Sequence, residues 1–191
     1  MKKKLVVILL VALPILAKAQ SDWELRVSGG YEFIGIDPWL NGSLITGTLF
    51  YNISGIVAMG PSFTQGIGNN YYVDNSANNF ETSLQEIALI TQFTFLRKGK
   101  FKAYGDLSLG LLKAETKEPV VGYLEGEAIK DETFGVGFGV GSLLYLGSGV
   151  YWNILEYRMR TLSSDFMDME KGFQGSIGPM HAIRTGISIS L

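Results

Sequence analysis

Phe134-Gly-Val-Gly-Phe-Gly-Val-Gly141 is the stretch on which the fold turns. Large apolar residues alternate with glycine at a strict period of two. That is the side-chain period of a β-strand, not of a helix. One face of the strand carries Phe134, Val136, Phe138 and Val140; the other is bare. A glycine row facing water solvates poorly and weakens a strand. Facing inward, the same row relieves crowding in a narrow barrel. The apolar face then points outward, which only lipid tolerates.

The same period recurs along the chain. Residues 23–33 place Trp23, Leu25, Val27, Gly29, Tyr31 and Phe33 against Glu24, Arg26, Ser28, Gly30 and Glu32. Residues 101–111 place Phe101, Ala103, Gly105, Leu107, Leu109 and Leu111 against Lys102, Tyr104, Asp106, Ser108 and Gly110. The last strand sets Ile183, Thr185, Ile187, Ile189 and Leu191 against Arg184, Gly186, Ser188 and Ser190. The polar faces are mostly Gly, Ser and Thr, whereas a soluble barrel needs many charged residues on its outer face. Ten residue steps at ~3.3 Å and ~40° tilt cover roughly 25 Å, the apolar band of a transmembrane barrel. Trp23, Tyr31 and Phe33 then fall near the two interfaces.

Eight strands are expected, at 23–33, 43–51, 54–65, 80–96, 101–114, 130–145, 150–160 and 181–191. Their connections run long, short, long, short, long, short, long. In an up-and-down barrel this puts long loops at one rim, and short turns and both termini at the other. Two places fit less well. Pro61 cannot donate to a ladder, so a bulge or early strand end is expected there. Residues 43–51 alternate weakly, with Leu44 and Phe50 on one face and Ile45, Leu49 and Tyr51 on the other.

Residues 1–19 combine Lys2, Lys3 and Lys4, a short apolar core, and the small-x-small site Ala17-Lys-Ala19. They read as a secretory signal cleaved before Gln20. The apolar core is too short to span a bilayer. Of 16 basic residues, removal of these three and Lys18 leaves 12 against 18 acidic, a net charge of −6. That disfavours nucleic acid as a partner. There is no Cys, so no disulfide holds the fold.

With these residues in view, the chain resembles the small outer-membrane β-barrel proteins of Gram-negative bacteria, of the OmpA-transmembrane-domain and OmpX-like type. The resemblance spans 20–191 and rests on architecture. It implies an eight-stranded antiparallel up-and-down transmembrane β-barrel with short periplasmic turns and long extracellular loops. It also implies a place in the outer membrane, contact with outer-membrane lipid and lipopolysaccharide, and recognition by the barrel-assembly machinery. Such proteins usually end in an aromatic residue, where this chain has Leu191.

The charged residues of the polar faces are Glu24, Arg26, Glu32, Glu86, Lys102, Asp106, Glu156, Arg158 and Arg184. An eight-stranded barrel leaves interior only for side chains. These residues are therefore expected to form a polar lumen network that plugs the barrel. The alternatives are a narrow channel for small polar solutes, a soluble lipocalin-like binding barrel in the periplasm, and a lipid-modifying enzyme at the rim. The last would use His181, the one histidine, with Ser176, Asp165, Asp168 or Glu170. A lone His with no fixed partner meets only the first step of a site argument, and the His-x-Ser pattern of lipid A deacylases is absent. No catalytic residue, cofactor or metal is expected. The acidic loops match no calcium-loop spacing, and the glycine row lacks the G-x-G-x-x-G spacing. The expected role is structural or interactive, through loops that face an unknown extracellular partner. Trp39, Tyr71, Tyr72 and Tyr123 are the contact candidates.

Overall fold

The computed structural model describes residues 22–34, 40–72, 79–116, 130–162 and 179–191. Eight antiparallel strands form a closed barrel in chain order: β1 (Trp23–Ile34), β2 (Leu40–Asn52), β3 (Val57–Tyr72), β4 (Asn79–Lys98), β5 (Phe101–Thr116), β6 (Lys130–Gly147), β7 (Val150–Leu162) and β8 (Met180–Ser190). The last strand pairs with the first along its length, from Glu24 opposite Ser190 to Ile34 opposite Met180. Closure leaves no strand edge along this seam, and an unpaired backbone group in lipid costs several kcal/mol.

The apolar faces point outward. Phe134, Val136, Phe138 and Val140 are all exposed, as are Leu107, Leu109, Leu111, Ile183 and Ile187. Trp23, Val27 and Tyr31 on β1 are exposed as well. At the lower rim Trp23 packs against Tyr51 with ring centroids 5.1 Å apart. Among the described residues the strands turn an apolar face outward, the reverse of what the lipocalin-like alternative requires.

The glycine row of β6 points inward, and the space it leaves is already taken. A Cβ at Gly139 would lie 2.7 Å from Asp106 Oδ2; one at Gly141 would lie 2.4 Å from the Tyr104 hydroxyl. At Gly137 it would meet Ser108 Oγ at 2.5 Å and Arg160 Cγ at 2.9 Å. Each of these glycines lies between a larger residue on β5 and one on β7. Gly139 pairs with Asp106 on one side and Arg158 on the other, and Gly141 with Tyr104 and Glu156.

Several strands run further than the sequence pattern indicates. β2 begins at Leu40 rather than 43, and β3 continues to Tyr72 rather than 65. The segments 40–42 and 66–72 are polar and glycine-rich, so no alternation marks them. Cross-strand pairing extends them instead, for example Leu40 with Tyr71 and Tyr71 with Phe80. Tyr71 and Tyr72 therefore belong to strand β3 and not to a loop. β3 also starts later, at Val57, because residues 53–56 form the turn. Pro61 neither ends the strand nor bulges it. It stays in register opposite Leu89; the β2–β3 ladder skips only Leu49 and Phe50 against Gly60 and Pro61, with the same register resuming at Tyr51. The register shifts of the two β3 ladders fall elsewhere, between Asn41 and Ser43 and between Gln65 and Asn69. Leu191 also departs from the lipid-facing row. It lies just past β8, donates its N–H to the Trp23 carbonyl at 2.9 Å, and is buried. The signal segment 1–19, Trp39 and Tyr123 lie outside the described residues.

Gly139→Ala should lower the urea midpoint of the barrel refolded in lipid, at a cost of about 1–3 kcal/mol for overpacking. Gly47→Ala, which meets nothing within 4 Å, should stay within about 0.5 kcal/mol of the unmodified protein. Heat-modifiable gel mobility confirms that each variant folds before its midpoint is compared.

Candidate functional site

An outward apolar face turns the charged residues of the opposite parity inward. Glu24, Arg26, Glu32, Glu86, Asp106, Glu156, Arg158 and Arg184 are each no more than 5% exposed. A buried charge is costly unless it is paired, and the register supplies the pairs.

Near the lower rim, Arg26 Nη2 donates to Glu24 Oε1 at 2.8 Å, and the Ser188 hydroxyl donates to the same oxygen at 2.5 Å. The Arg26 guanidinium lies over two aromatic faces, 4.8 Å from the Phe50 centroid and 4.7 Å from that of Tyr104. Such stacking offsets part of the desolvation of a buried cation. Its Nη1 is 3.9 Å from Glu156 Oε2. That oxygen also accepts from the Tyr104 hydroxyl at 2.8 Å and from Asn153 Nδ2 at 3.3 Å. Glu156 is thus the hub of this level. Its other oxygen lies 3.7 Å from Arg158 Nη2 and 3.6 Å from Arg184 Nη1.

Two contacts pass directly over the glycine row. Arg158 Nη2 donates to Asp106 Oδ1 at 2.8 Å above Gly139. The Tyr104 to Glu156 bond passes above Gly141 in the same way. Both join β5 to β7 across β6. Further up, Arg160 ties three strands together. Its Nη2 donates to Glu32 on β1, and its Nη1 is 2.8 Å from Glu86 Oε2 on β4. β4 stands on the far wall from β7, so this pair crosses the lumen.

Arg160 is absent from the residues picked out by sequence, although it is only 2% exposed. It shares its parity with Glu156 and Arg158, so the signal was in the chain. It stood at the expected end of its strand, which in fact runs to Leu162. Tyr104 and Asn153 likewise join the network and were not picked out as site residues. Lys102 is not part of the buried network. Half-buried at the lower mouth, it holds its ammonium 4.0 Å over the Tyr151 ring. The interior is also less uniformly polar than the pattern indicates. Phe50, Ala58 and Ile90 form an apolar cluster, and Thr48 and Thr46 pair with Ser62 and Thr64 at 2.9 and 3.0 Å. Charge therefore concentrates on β1, β5, β7 and β8, with Glu86 facing it from β4.

A vestibule of about 410 Å³ opens at the lower mouth, and its buried lining residues are Glu24, Ala58, Gln92 and Leu143. At the upper rim His181 lies on the outside. It stacks on Phe33 at 5.3 Å, and its Nδ1 is 2.6 Å from the Tyr157 hydroxyl. No Ser or carboxylate is bonded to it among the described residues. Ser176, Asp165, Asp168 and Glu170 lie outside the described residues, as does any contact they make.

A closed eight-stranded barrel with an apolar exterior and ion-paired interior defines a transmembrane barrel of the outer-membrane class. The chain belongs to the outer membrane protein beta-barrel domain family, whose model matches residues 5–178. Membership places it in the outer membrane, with the short turns β2–β3, β4–β5 and β6–β7 on the periplasmic side. No curated protein sequence matches it significantly. Among solved structures it is similar to Neisserial surface protein A, at 14% identity over 90% of this chain and 98% of that one, with a TM-score of 0.67. It is also similar to Ail, the attachment invasion locus protein of Yersinia pestis, at 14% identity over 88% and 98%, with a TM-score of 0.51. The N-terminal β-barrel domain of Pseudomonas aeruginosa OprF matches at 11% identity over 88% and 97%, with a TM-score of 0.50. At these identities the likeness is one of fold.

Asp106→Asn removes the carboxylate to which Arg158 is hydrogen-bonded, leaving only Glu156 at 3.7 Å, and should cost about 3 kcal/mol. The double variant Asp106→Leu with Arg158→Met should cost clearly less than the sum of its single changes. A double-mutant cycle of unfolding free energies in lipid measures this coupling; simple additivity would mean that the pair does not act as a unit.

Proposed function

We propose that this protein is a non-enzymatic outer-membrane barrel, closed to ions, that serves as a rigid membrane element and presents its extracellular connections to a partner. The observation that carries the closed reading is the run of buried ion pairs at successive depths of the lumen. Glu24–Arg26 lies near the periplasmic mouth, Asp106–Arg158 lies over Gly139, and Arg160 reaches Glu32 and Glu86 higher up. A solute would have to separate charges that are desolvated and paired, which costs several kcal/mol at each level. The same residues make a packed filling, in keeping with the narrow interior of eight strands.

The non-enzymatic reading rests on His181, the one imidazole in the chain. Its described contacts are aromatic: Phe33, and Tyr157 through its hydroxyl. No nucleophile is aligned with it there, and a site argument needs that geometry before it needs a pKa.

Binding chemistry on a rigid barrel belongs to its connections. The segments 35–39, 73–78, 117–129 and 163–178 carry eight acidic residues and two Lys. The Yersinia pestis Ail barrel has been solved with the heparin analogue sucrose octasulfate, a polyanion. The acidic connections here disfavour that ligand class. They favour a cationic partner surface, or lipopolysaccharide bridged by divalent cations, with Trp39 and Tyr123 in the connections, and Tyr71 and Tyr72 at the upper end of β3, as aromatic contacts. Residues 1–19 act in this reading as the cleaved export signal.

In planar lipid bilayers the refolded protein should show no ohmic steps. Glu156→Ala and Arg158→Ala should open no new pore, because the remaining side chains still fill the lumen. A large ohmic conductance from the unmodified protein would overturn the closed reading.

A further inference from the structure

The turn between β4 and β5 concentrates positive charge as no other part of the wall does. Arg97-Lys-Gly-Lys-Phe-Lys102 places four cations in six residues, with no acidic residue among them. Gly99 has φ of 57°, a left-handed conformation that suits glycine and lets the chain reverse over residues 99–100. The tightness of the turn holds the cations together. Arg97 pairs directly opposite Lys102, and Lys98 opposite Phe101. Like charges facing one another across a ladder destabilise it, so this turn calls for a counter-charge.

The protein itself supplies little. Arg97 donates to the Gly55 carbonyl at 3.2 Å, and Lys102 lies over the Tyr151 ring. Lys98 and Lys100 are exposed, and neither forms an ion pair among the described residues. Two acidic residues, Asp22 and Glu24, line the mouth with Arg97 and Lys102. Glu24 is already held by Arg26 and Ser188, and Asp22 belongs to the opposite side of the rim, where its carbonyl accepts from Asn52. The other two short turns, 53–56 and 148–149, carry no charge. The cations therefore form a patch on one side of the rim rather than a ring.

The depth of the patch names its counter-charge. Phe93, Phe95 and Leu96 on β4 are exposed on the lipid face, and Phe95 is 68% exposed. The chain passes from these residues straight into Arg97. Leu146 and Trp152, near the neighbouring turn, are exposed at the same end. The apolar band thus stops where the cations begin, at the depth of the periplasmic headgroups. A hollow of about 240 Å³ beside the turn is lined by Arg97, Lys100, Lys102, Tyr145 and Tyr151. It presents cations and amphipathic rings on one surface.

We infer that the β4–β5 turn is a docking site for anionic phospholipid headgroups of the periplasmic leaflet, with Lys98 and Lys100 facing the phosphates. A Lys or Arg beside an anionic membrane surface strengthens its attraction by roughly fivefold in binding, and salt screens the effect. A zwitterionic lipid offers no net charge and gains nothing comparable. The site is independent of whether the lumen conducts.

Native mass spectrometry of the refolded full chain, equilibrated with equal phosphatidylglycerol and phosphatidylcholine, reads this preference directly. Phosphatidylglycerol should be retained over phosphatidylcholine, and K98Q/K100Q should reduce that preference by roughly fivefold for each charge removed. K98R/K100R should keep it. Heat-modifiable mobility identical to the unmodified protein shows that each variant is folded. Equal retention of the two lipids by the unmodified protein would overturn the assignment, and so would an undiminished preference in K98Q/K100Q. If poly-glutamate instead binds the barrel in phosphatidylcholine discs, depends on Lys98 and Lys100, and no lipid preference is seen, the patch reads an acidic peptide and the lipid assignment fails.

Discussion

The interior of this barrel depends on the room left by three glycines. Gly137, Gly139 and Gly141 face inward on β6, and each stands between larger partners on β5 and β7. Asp106 and Arg158 meet over Gly139; Tyr104 and Glu156 meet over Gly141. A methyl group at either site would occupy the volume through which the contact passes. Protein interiors are packed too densely to absorb such an addition without displacement. The absence of side chains on one strand therefore lets two others join charges that the membrane has removed from water.

The same economy of space appears at the seam. Gly30 on β1 and Gly186 on β8 lie opposite Arg184 and Ser28. A Cβ at Gly30 would fall 2.0 Å from the Ile183 carbonyl oxygen, and one at Gly186 would fall 2.1 Å from that of Val27. The strands that close the barrel approach one another as closely as bare backbone permits. Arg184, almost fully buried on that seam, finds its room opposite Gly30 and lies 3.6 Å from Glu156. Closure and charge pairing share one device: Asp106, Glu156, Arg158, Arg160 and Arg184 each enter the lumen with a glycine opposite them on a neighbouring strand, whereas Glu24, Arg26 and Glu86 do not.

Charge is also ordered along the barrel axis. The extracellular connections are acidic, the lumen is close to balanced, and the periplasmic β4–β5 turn is basic. The lumen balance follows from desolvation, because an unpaired charge there would be costly. No such constraint acts at the two ends, where water and headgroups can solvate charge. The fold thus leaves charge at the rims unconstrained, whereas the balance of the lumen reflects what the fold can bear.

Most of the architecture is legible in one strand's alternation. The period of two is a local property of the backbone, so the outward row Phe134 to Val140 and the inward row Glu156 and Arg158 can be read without any tertiary information. Alternation alone gives the strand number, the lipid-facing sides of β1, β5, β6 and β8, the inward glycine row and eight of the interior charges; on the weakly alternating β2, closure decides that Leu44 and Phe50 turn inward. Tertiary structure decided what parity cannot express. Strands β2 and β3 extend through polar, glycine-rich residues because neighbours pair with them, and Pro61 is carried in register by β4 on its other side. Lys102 stays at the mouth because it is the second residue of β5, and its ammonium lies over the Tyr151 ring. Which charges meet was settled only by register and closure. Glu32 and Arg160 stand on β1 and β7, 128 residues apart, and come together because β8 returns to pair with β1. Alternation propagates along a strand, but ion pairing depends on three-dimensional proximity, and that exists only once the barrel has closed.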